Sequence, residues 1–171
     1  KEILNTLLQK ITGKNPNIFF KAHLLMAQIN FTEKDLNALE AELILMEKTL
    51  KKSNAENIDS IISDVKAKIF LLKSDYINAA EFFDKKVSYT QKSFSYYEMQ
   101  EALENAGDAY LNAGNADKAA LRYYQASRSY LSMNETKKCK ELLEKIAKIL
   151  EIKDIHLQSQ IEKIKKAAEI Q

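Results

Sequence analysis

The stretch that decides the fold is LENAGDAYLNAGNADKAALRYYQA, which covers residues 103–126. It holds two segments with apolar side chains at helical spacing, and Gly114 interrupts them, which predicts two helices joined by a tight turn. Small residues and tyrosines recur along the two segments, at Gly107, Tyr110, Ala119, Tyr123 and Ala126. Small side chains allow two helices to approach closely, and the tyrosines fill the space beside the crossing. We therefore expect an antiparallel helical hairpin.

The same pattern returns when the chain is shifted by forty residues. One unit earlier, the positions of Gly107, Tyr110, Ala119 and Tyr123 are taken by Ala67, Phe70, Ala79 and Phe83. The small residue of the first helix also recurs in the outer units, as Ala27 and Ala147. These matches predict four helical hairpins, at residues 18–52, 54–92, 95–132 and 135–170, with an extra N-terminal helix over 1–13.

The composition favours an all-α chain. Of 171 residues, 3 are Gly and 1 is Pro, and these are the residues on which turn-rich β architectures depend. The chain is 46% hydrophobic and 29% charged, and its charges interrupt each apolar run before it reaches the length of about 18 residues that a membrane span needs. We expect a single soluble domain over 1–171 with about nine helices.

The predicted helix starts carry capping signals. A Ser or Thr side chain accepts hydrogen bonds from the free N–H groups at a helix start, and an acidic residue three positions later completes the motif. Three such pairs occur, Thr32 with Asp35, Ser53 with Glu56, and Ser95 with Glu98. Further breaks fall at Ser74-Asp75, Gly114-Asn115, Asn134 and Lys153-Asp154. The gaps are short, which makes consecutive helices antiparallel neighbours.

The unit Leu103-x-x-Ala106-Gly107-x-x-Tyr110 resembles the tetratricopeptide repeat. That repeat usually spans about 34 residues and closes with a proline, so the forty-residue spacing without proline is similar to its long-repeat variety. One departure is Lys86, which stands where a second small residue is expected. The resemblance implies an α-solenoid of antiparallel hairpins wound into a right-handed superhelix. It also implies that the first helix of each hairpin lines a concave groove that binds partner segments.

A polar stripe lies beside the predicted packing stripe on these first helices. It consists of Asp64, Lys68 and Leu71 in the second unit, Glu101, Glu104, Asp108 and Asn112 in the third, and Glu141, Glu144 and Lys148 in the fourth. The spacing is that of one helix face. The middle of the groove should then be acidic and should favour a basic partner segment that carries Lys or Arg. The alternative interpretation is that these carboxylates only solvate their helices.

Four aromatic residues, Tyr89, Phe94, Tyr96 and Tyr97, cluster between the second and third units. Three more, Tyr123, Tyr124 and Tyr130, follow in the third unit. Aromatic side chains at helical spacing usually belong to a core, so we expect most of these seven residues to be buried. Mainly Ser and Thr, rather than basic residues, fill the gaps between them, and a base-stacking platform for nucleic acid is therefore not predicted. The lysines near the C-terminus are expected to be solvated rather than to contact a membrane.

The sequence contains no motif for binding a metal or a nucleotide or for activating a nucleophile. His23 and His156 lie in opposite end units, and Cys139 has no Cys or His at ligand spacing. We interpret all three as structural or surface residues. The net charge of +2 is too balanced to attract polyanions in general. The sequence therefore predicts no catalytic residues, no bound metal and no cofactor.

These observations predict a non-enzymatic scaffold or adaptor that binds a peptide or helix of a partner protein in its concave groove. Two alternatives stay open, a sensor or regulatory domain of a larger protein and an adaptor of membrane-fusion or cell-envelope assembly machinery. The start at Lys1 instead of Met suggests the first, because we interpret it as the loss of an N-terminal piece. Homo-oligomerisation also stays open, as does the compartment, with the cytoplasm favoured over export or the cell envelope.

Overall fold

A computed structural model of the chain describes residues 15–50, 57–149 and 151–170, together with Ile3, Leu4, Thr6 and Leu8. The three continuous ranges contain eight α-helices and no strand. In chain order the helices are α1 (Pro16–Thr32), α2 (Leu36–Leu50), α3 (Ile58–Leu72), α4 (Tyr76–Lys92), α5 (Tyr96–Asn112), α6 (Ala116–Ser132), α7 (Thr136–Ala147) and α8 (Ile155–Ile170). Each helix packs against the next one in the sequence, and α8 also contacts α6. The predicted all-α array of antiparallel helix hairpins is confirmed.

The four hairpins span 16–50, 58–92, 96–132 and 136–170, where the sequence predicted units at 18–52, 54–92, 95–132 and 135–170. The extra N-terminal helix predicted over 1–13 is described only at Ile3, Leu4, Thr6 and Leu8, and all four are helical. The predicted capping pair of Ser53 and Glu56 lies outside the described residues.

Five of the turns between helices share one backbone arrangement. In each turn one residue adopts the left-handed conformation, and these residues are Lys34, Ser74, Phe94, Gly114 and Asn134. The residue after it donates its N–H to a carbonyl five positions back, as Asn115 does to Tyr110 at 2.9 Å. This is the Schellman arrangement that ends a helix. Because the donor residue is already the N-cap of the next helix, three non-helical residues are enough to connect two helices.

Two of the capping predictions need correction. Thr32 does not cap α2, because its hydroxyl donates to a carbonyl one turn earlier, whereas Asp35 accepts from the N–H of Ala38 at 3.0 Å. Ser95 stands at the N-cap of α5, but its side chain makes no capping hydrogen bond and lies 3.1 Å from the hydroxyl of Ser93. For Thr32 the physical reason is the turn itself, which places the N-cap at Asp35, directly after the left-handed residue Lys34.

Replacing Ser74 with glycine is expected to raise the free energy of unfolding by about 1 kcal/mol. Ser74 is exposed at a φ of 57°, and this conformation costs a residue with a Cβ roughly 1–2 kcal/mol more than glycine. The same change at Ser88, which is exposed inside α4, should lower stability by about 0.5–1 kcal/mol. Urea unfolding followed by circular dichroism measures both variants. A loss of stability in both would contradict this account of the turn.

The helices bury two hydrophobic cores that meet at α3. The smaller core includes Phe20, Leu39 and Met46, and the larger one extends from α3 to α8. Of the residues predicted to pack between repeats, Ala27, Ala67, Ala79, Phe83, Gly107, Tyr110, Ala119, Tyr123 and Ala126 are buried and Phe70 is partly buried. Ala147 is exposed, which corrects its predicted packing role. The reason is a cleft of about 310 Å³ beside Ala147, where α8 does not close on α7.

Candidate partner-binding groove

The residues predicted to line an acidic groove fall into two sets. Glu101, Asn112, Glu141, Glu144 and Lys148 are exposed, whereas Asp64, Lys68, Leu71, Glu104 and Asp108 are partly buried. The three partly buried carboxylates belong to the middle of the predicted stripe. Each of them is bonded to a side chain of a neighbouring helix.

Asp64 of α3 lies between two lysines. Its Oδ1 accepts a hydrogen bond from Nζ of Lys86 in α4 at 2.8 Å, and its Oδ2 accepts one from Nζ of Lys68 at 2.6 Å. The side chains of Asp64 and Lys86 are only 13% and 10% exposed. Burial by itself would raise the pKa of Asp64, but the two ammonium groups outweigh it and hold the pKa below its ordinary value of 3.8. Lys86 therefore departs from the repeat pattern because it neutralises Asp64.

The two partly buried carboxylates of α5 bind donors from α6 and α7. Tyr130 donates its hydroxyl to Oε1 of Glu104 at 2.8 Å. Tyr123 donates to Oδ1 of Asp108 at 2.5 Å, and Nζ of Lys145 donates to the same oxygen at 2.8 Å. Burial and these acceptors raise the pKa of both tyrosines above the ordinary value of 10.0. The sequence predicted that these carboxylates line an acidic groove, and it did not indicate the phenol and ammonium donors that close helix packing brings to them.

A further carboxylate, Asp84 of α4, connects three helices. Arg122 of α6 binds it in a bidentate manner, with Nε donating to Oδ1 at 2.7 Å and Nη2 donating to Oδ2 at 2.8 Å. The hydroxyl of Tyr110 in α5 donates to Oδ2 at 2.9 Å. Burial and this hydrogen bond raise the pKa of Tyr110 to about 12. Asp84 was not predicted from the sequence. The equivalent position one unit later holds Tyr124, so Asp84 does not belong to the repeat pattern.

A cleft of about 650 Å³ opens between α4, α5 and α6 and also touches Gln160 of α8. Its other lining residues are Val87 and Gln91 from α4, Met99 and Leu103 from α5, and Leu121, Tyr124, Gln125, Arg128, Ser129 and Ser132 from α6. We call this cleft the α4–α6 groove. The six residues from α6 have the spacing of one continuous helix face. The buried residues of α6, such as Tyr123, lie on its opposite face.

The α4–α6 groove is partly apolar and carries one charge. Its apolar surface comes from Val87, Met99, Leu103 and Leu121. Most of the other lining side chains are neutral amides and hydroxyls. Among the described residues that line the groove, Arg128 is the only charged one, and it is exposed. The groove can therefore receive an apolar surface together with an anionic group.

The groove follows the axis of α6 for about three helical turns. Leu121 and Ser132 are its outermost residues on that helix, and the eleven steps between them correspond to about 16 Å at 1.5 Å per residue. Amphipathic helices dock in grooves of this kind through apolar anchors on one face. The dimensions suit a helix of three turns or a short extended peptide.

This groove was not predicted from the sequence, which pointed to the first helix of each hairpin. The helix that lines most of it, α6, is a second helix. A signal was present, since Leu121, Tyr124 and Arg128 follow one another at three- and four-residue spacing. That face of α6 lies opposite the buried residue Tyr123 and takes no part in its packing, so it can line the groove.

Two of the predicted acidic residues line a different cleft, of about 530 Å³, on α7. Glu141 and Glu144 share it with Thr136, Lys137 and Lys140. Its two lysines match its two carboxylates in number. The charges of this cleft therefore balance, and it does not extend an acidic surface.

The histidines and the cysteine take no part in the α4–α6 groove. His23 is buried, its Nδ1 lies 2.5 Å from Oε2 of Glu42, and its ring packs edge-on against Phe19. His156 is exposed, whereas Cys139 is buried, and burial raises the pKa of its thiol. Within the described ranges, no three His, Cys, Asp or Glu side chains are grouped so that they could hold a metal ion. None of the described helices has the length and apolar character to cross a bilayer.

Comparison of the sequence with models of protein families finds no match, and comparison with curated proteins finds none either. The similarity to the tetratricopeptide repeat therefore rests on the residue pattern. An all-α array of hairpins does not determine what it binds, so the groove is the feature that bears on function.

Proposed function

We propose that this chain is a non-enzymatic protein-interaction module that binds a segment of a partner protein in the α4–α6 groove. The observation that supports the proposal is the groove itself, which follows three turns of α6 and presents apolar side chains beside one cation. Short turns that are closed by backbone hydrogen bonds hold the helices that form it. Binding then requires little ordering of the chain, which favours affinity.

The partner segment in this proposal has an apolar face and at least one carboxylate. The guanidinium group of Arg128 matches a carboxylate in shape and charge. The basic partner predicted from the acidic stripe is less well supported, because Asp64, Glu104 and Asp108 are bonded inside the chain. In complexes of this kind the charged pair mainly fixes register and speeds encounter, and the apolar face contributes most of the affinity.

We also propose that the hairpins are long repeats of the tetratricopeptide kind, wound into a right-handed superhelix. Two consecutive hairpins bury equivalent small and aromatic residues, Ala67 with Phe83 and Gly107 with Tyr123. The left-handed turn residues lie twenty or forty positions apart along the chain. Both regularities support a repeated unit, and a crystal structure would measure the handedness directly.

Changing Arg128 to glutamate is expected to weaken partner binding about tenfold, which corresponds to about 1.4 kcal/mol. The probe is a phage library of random peptides of about 16 residues, long enough for the three helical turns of the groove, selected on the immobilised chain. Enriched peptides are synthesised with a fluorescent label, and anisotropy titration gives Kd for the unaltered chain and the variant. We expect the enriched peptides to carry Asp or Glu beside apolar residues at helical spacing.

The matched control is Lys21→Glu, which makes the same charge change on exposed surface of α1. This variant should bind the enriched peptides as tightly as the unaltered chain. The proposal fails if the selection enriches no such pattern, or if Arg128→Glu and Lys21→Glu bind equally well.

A further inference from the structure

Aromatic side chains are exposed at the turn that joins α4 to α5. The expectation that most of the seven aromatic residues are buried is wrong. Tyr123 and Tyr130 are buried, but Tyr89, Phe94, Tyr96 and Tyr97 are all exposed. Phe94 is 73% exposed and Tyr96 is 48% exposed. Their two rings meet edge to face, with 6.4 Å between the ring centroids. Solvent therefore reaches a pair of large aromatic rings held in a defined arrangement.

Phe94 is not needed to form its turn. It adopts the left-handed conformation, with a φ of 57°, which bulky residues rarely adopt. The other four turns of this kind within the described ranges carry Lys34, Ser74, Gly114 and Asn134 at the same position. Neither burial nor backbone preference explains a phenylalanine there. A residue held in an unfavourable conformation and exposed to solvent points to a role in binding.

The exposed pair lies at one end of the α4–α6 groove. Tyr96 precedes Met99 by three residues and Leu103 by seven, so it shares the face of α5 that lines the groove. Because successive helices run antiparallel, α4 and α6 both end where α5 begins, and Gln91 and Ser132 line the groove at these ends. The two rings therefore continue the apolar surface of the groove beyond its last lining residues.

We propose that Phe94 and Tyr96 form an aromatic anchor for the end of a partner helix that lies in the α4–α6 groove. This inference rests on the proposed function and specifies the partner. Arg128 lies four residues before Ser132, about 6 Å along the helix axis. On a partner helix whose carboxylate lies opposite Arg128, the residue three or four positions further along therefore lies at the anchor. We expect that residue to be bulky and apolar.

The test replaces Phe94 with glycine, the residue that the equivalent turn carries at Gly114. Glycine relieves the left-handed conformation, so the melting temperature should rise, while Kd for the labelled, enriched peptides should increase about tenfold. Ser74→Gly is the matched control, and it should raise the melting temperature without changing Kd. A second selection of the phage library on Phe94→Gly should retain the acidic residue of the peptides and lose the bulky apolar residue three or four positions away.

The outcomes separate the anchor from the groove. If Arg128→Glu weakens binding and Phe94→Gly does not, the groove stands and the anchor is wrong. If neither change weakens binding, the proposed function is wrong and the anchor with it. A lower melting temperature for Phe94→Gly would show that the ring stabilises the fold instead. Conversion of a dimer to a monomer by Phe94→Gly, with Kd unchanged, would identify the patch as a contact between two copies of this chain.

Discussion

Changing Asp64 to asparagine is expected to lower the free energy of unfolding by about 3 kcal/mol at pH 7. Asparagine keeps the shape of the side chain but removes its charge, and the buried ammonium group of Lys86 then has no counter-charge. Lys68 loses the same partner, but it is more exposed and its contribution is smaller. Urea unfolding of both proteins, followed by circular dichroism, measures the difference.

The loss at Asp64 should depend on pH in a defined direction. Burial opposes ionisation of this carboxyl group, yet Lys86 and Lys68 lower its pKa below the ordinary value of 3.8. A carboxylate with a lowered pKa contributes stability above its unfolded-state pKa and loses that contribution as the pH falls through its folded-state pKa. Asparagine has no such proton to bind. The difference in stability between the two proteins should therefore be constant from about pH 5 to 8 and shrink below about pH 4.

Glu81 provides the matched control, because it is an exposed acidic residue of α4. Changing Glu81 to glutamine should alter stability by no more than about 0.5 kcal/mol. An Asp64→Asn variant that loses no more than this would show that the ion pairs with Lys86 and Lys68 do not stabilise the hairpin. A difference that stays the same at acidic pH would show that the charge of Asp64 is not the cause.

The helix positions could be predicted because their signals are local. The breaks at Ser74, Gly114 and Asn134 are visible in the sequence, and the structure places a left-handed turn at each one. The crossing of α5 and α6 could be predicted for a similar reason. A glycine inside an otherwise helical segment indicates a close approach, and Gly107 lies against the ring of Tyr123.

The partners of the polar side chains could not be predicted from the same signals. Asp64 pairs with Lys86 across 22 positions and Asp84 with Arg122 across 38, so these pairs do not follow the forty-residue period. They depend on how far each helix is rotated about its axis. A carboxylate beside a packing stripe looks the same in sequence whether it faces water or the next hairpin.

The exposed aromatic residues were missed for a related reason. Helical spacing indicates which face of α5 carries Tyr96, but it does not indicate whether a neighbouring helix covers that face. At the first turn of α5 the adjacent helices α4 and α6 come to an end. Tyr96 therefore has the sequence pattern of a core residue at a level where the core has ended.

Replacing Gly107 with alanine is expected to lower the free energy of unfolding by about 2–3 kcal/mol. A Cβ at this position would lie 2.5 Å from Cε1 and 2.7 Å from Cδ1 of Tyr123, well inside the ordinary carbon contact distance of about 3.5–4.0 Å. The ring cannot move away easily, because it is fully buried and its hydroxyl is bonded to Asp108. Gly114→Ala is the control, since its Cβ would meet no atom within 4 Å and only the positive φ costs about 1 kcal/mol.

The neighbouring hairpin indicates which second change should relieve this clash. At the equivalent positions it carries Ala67 and Phe83, both buried, so that hairpin combines a small residue that has a Cβ with a ring that has no hydroxyl. The double variant Gly107→Ala, Tyr123→Phe reproduces that pair and releases the ring from Asp108. Its loss of stability should therefore be smaller than the sum of the two single losses, by about 1 kcal/mol. If the stability losses of the two single variants simply add in the double variant, the bond to Asp108 does not fix the ring. In that case, removing the bond leaves the clash between the ring and the new Cβ unchanged.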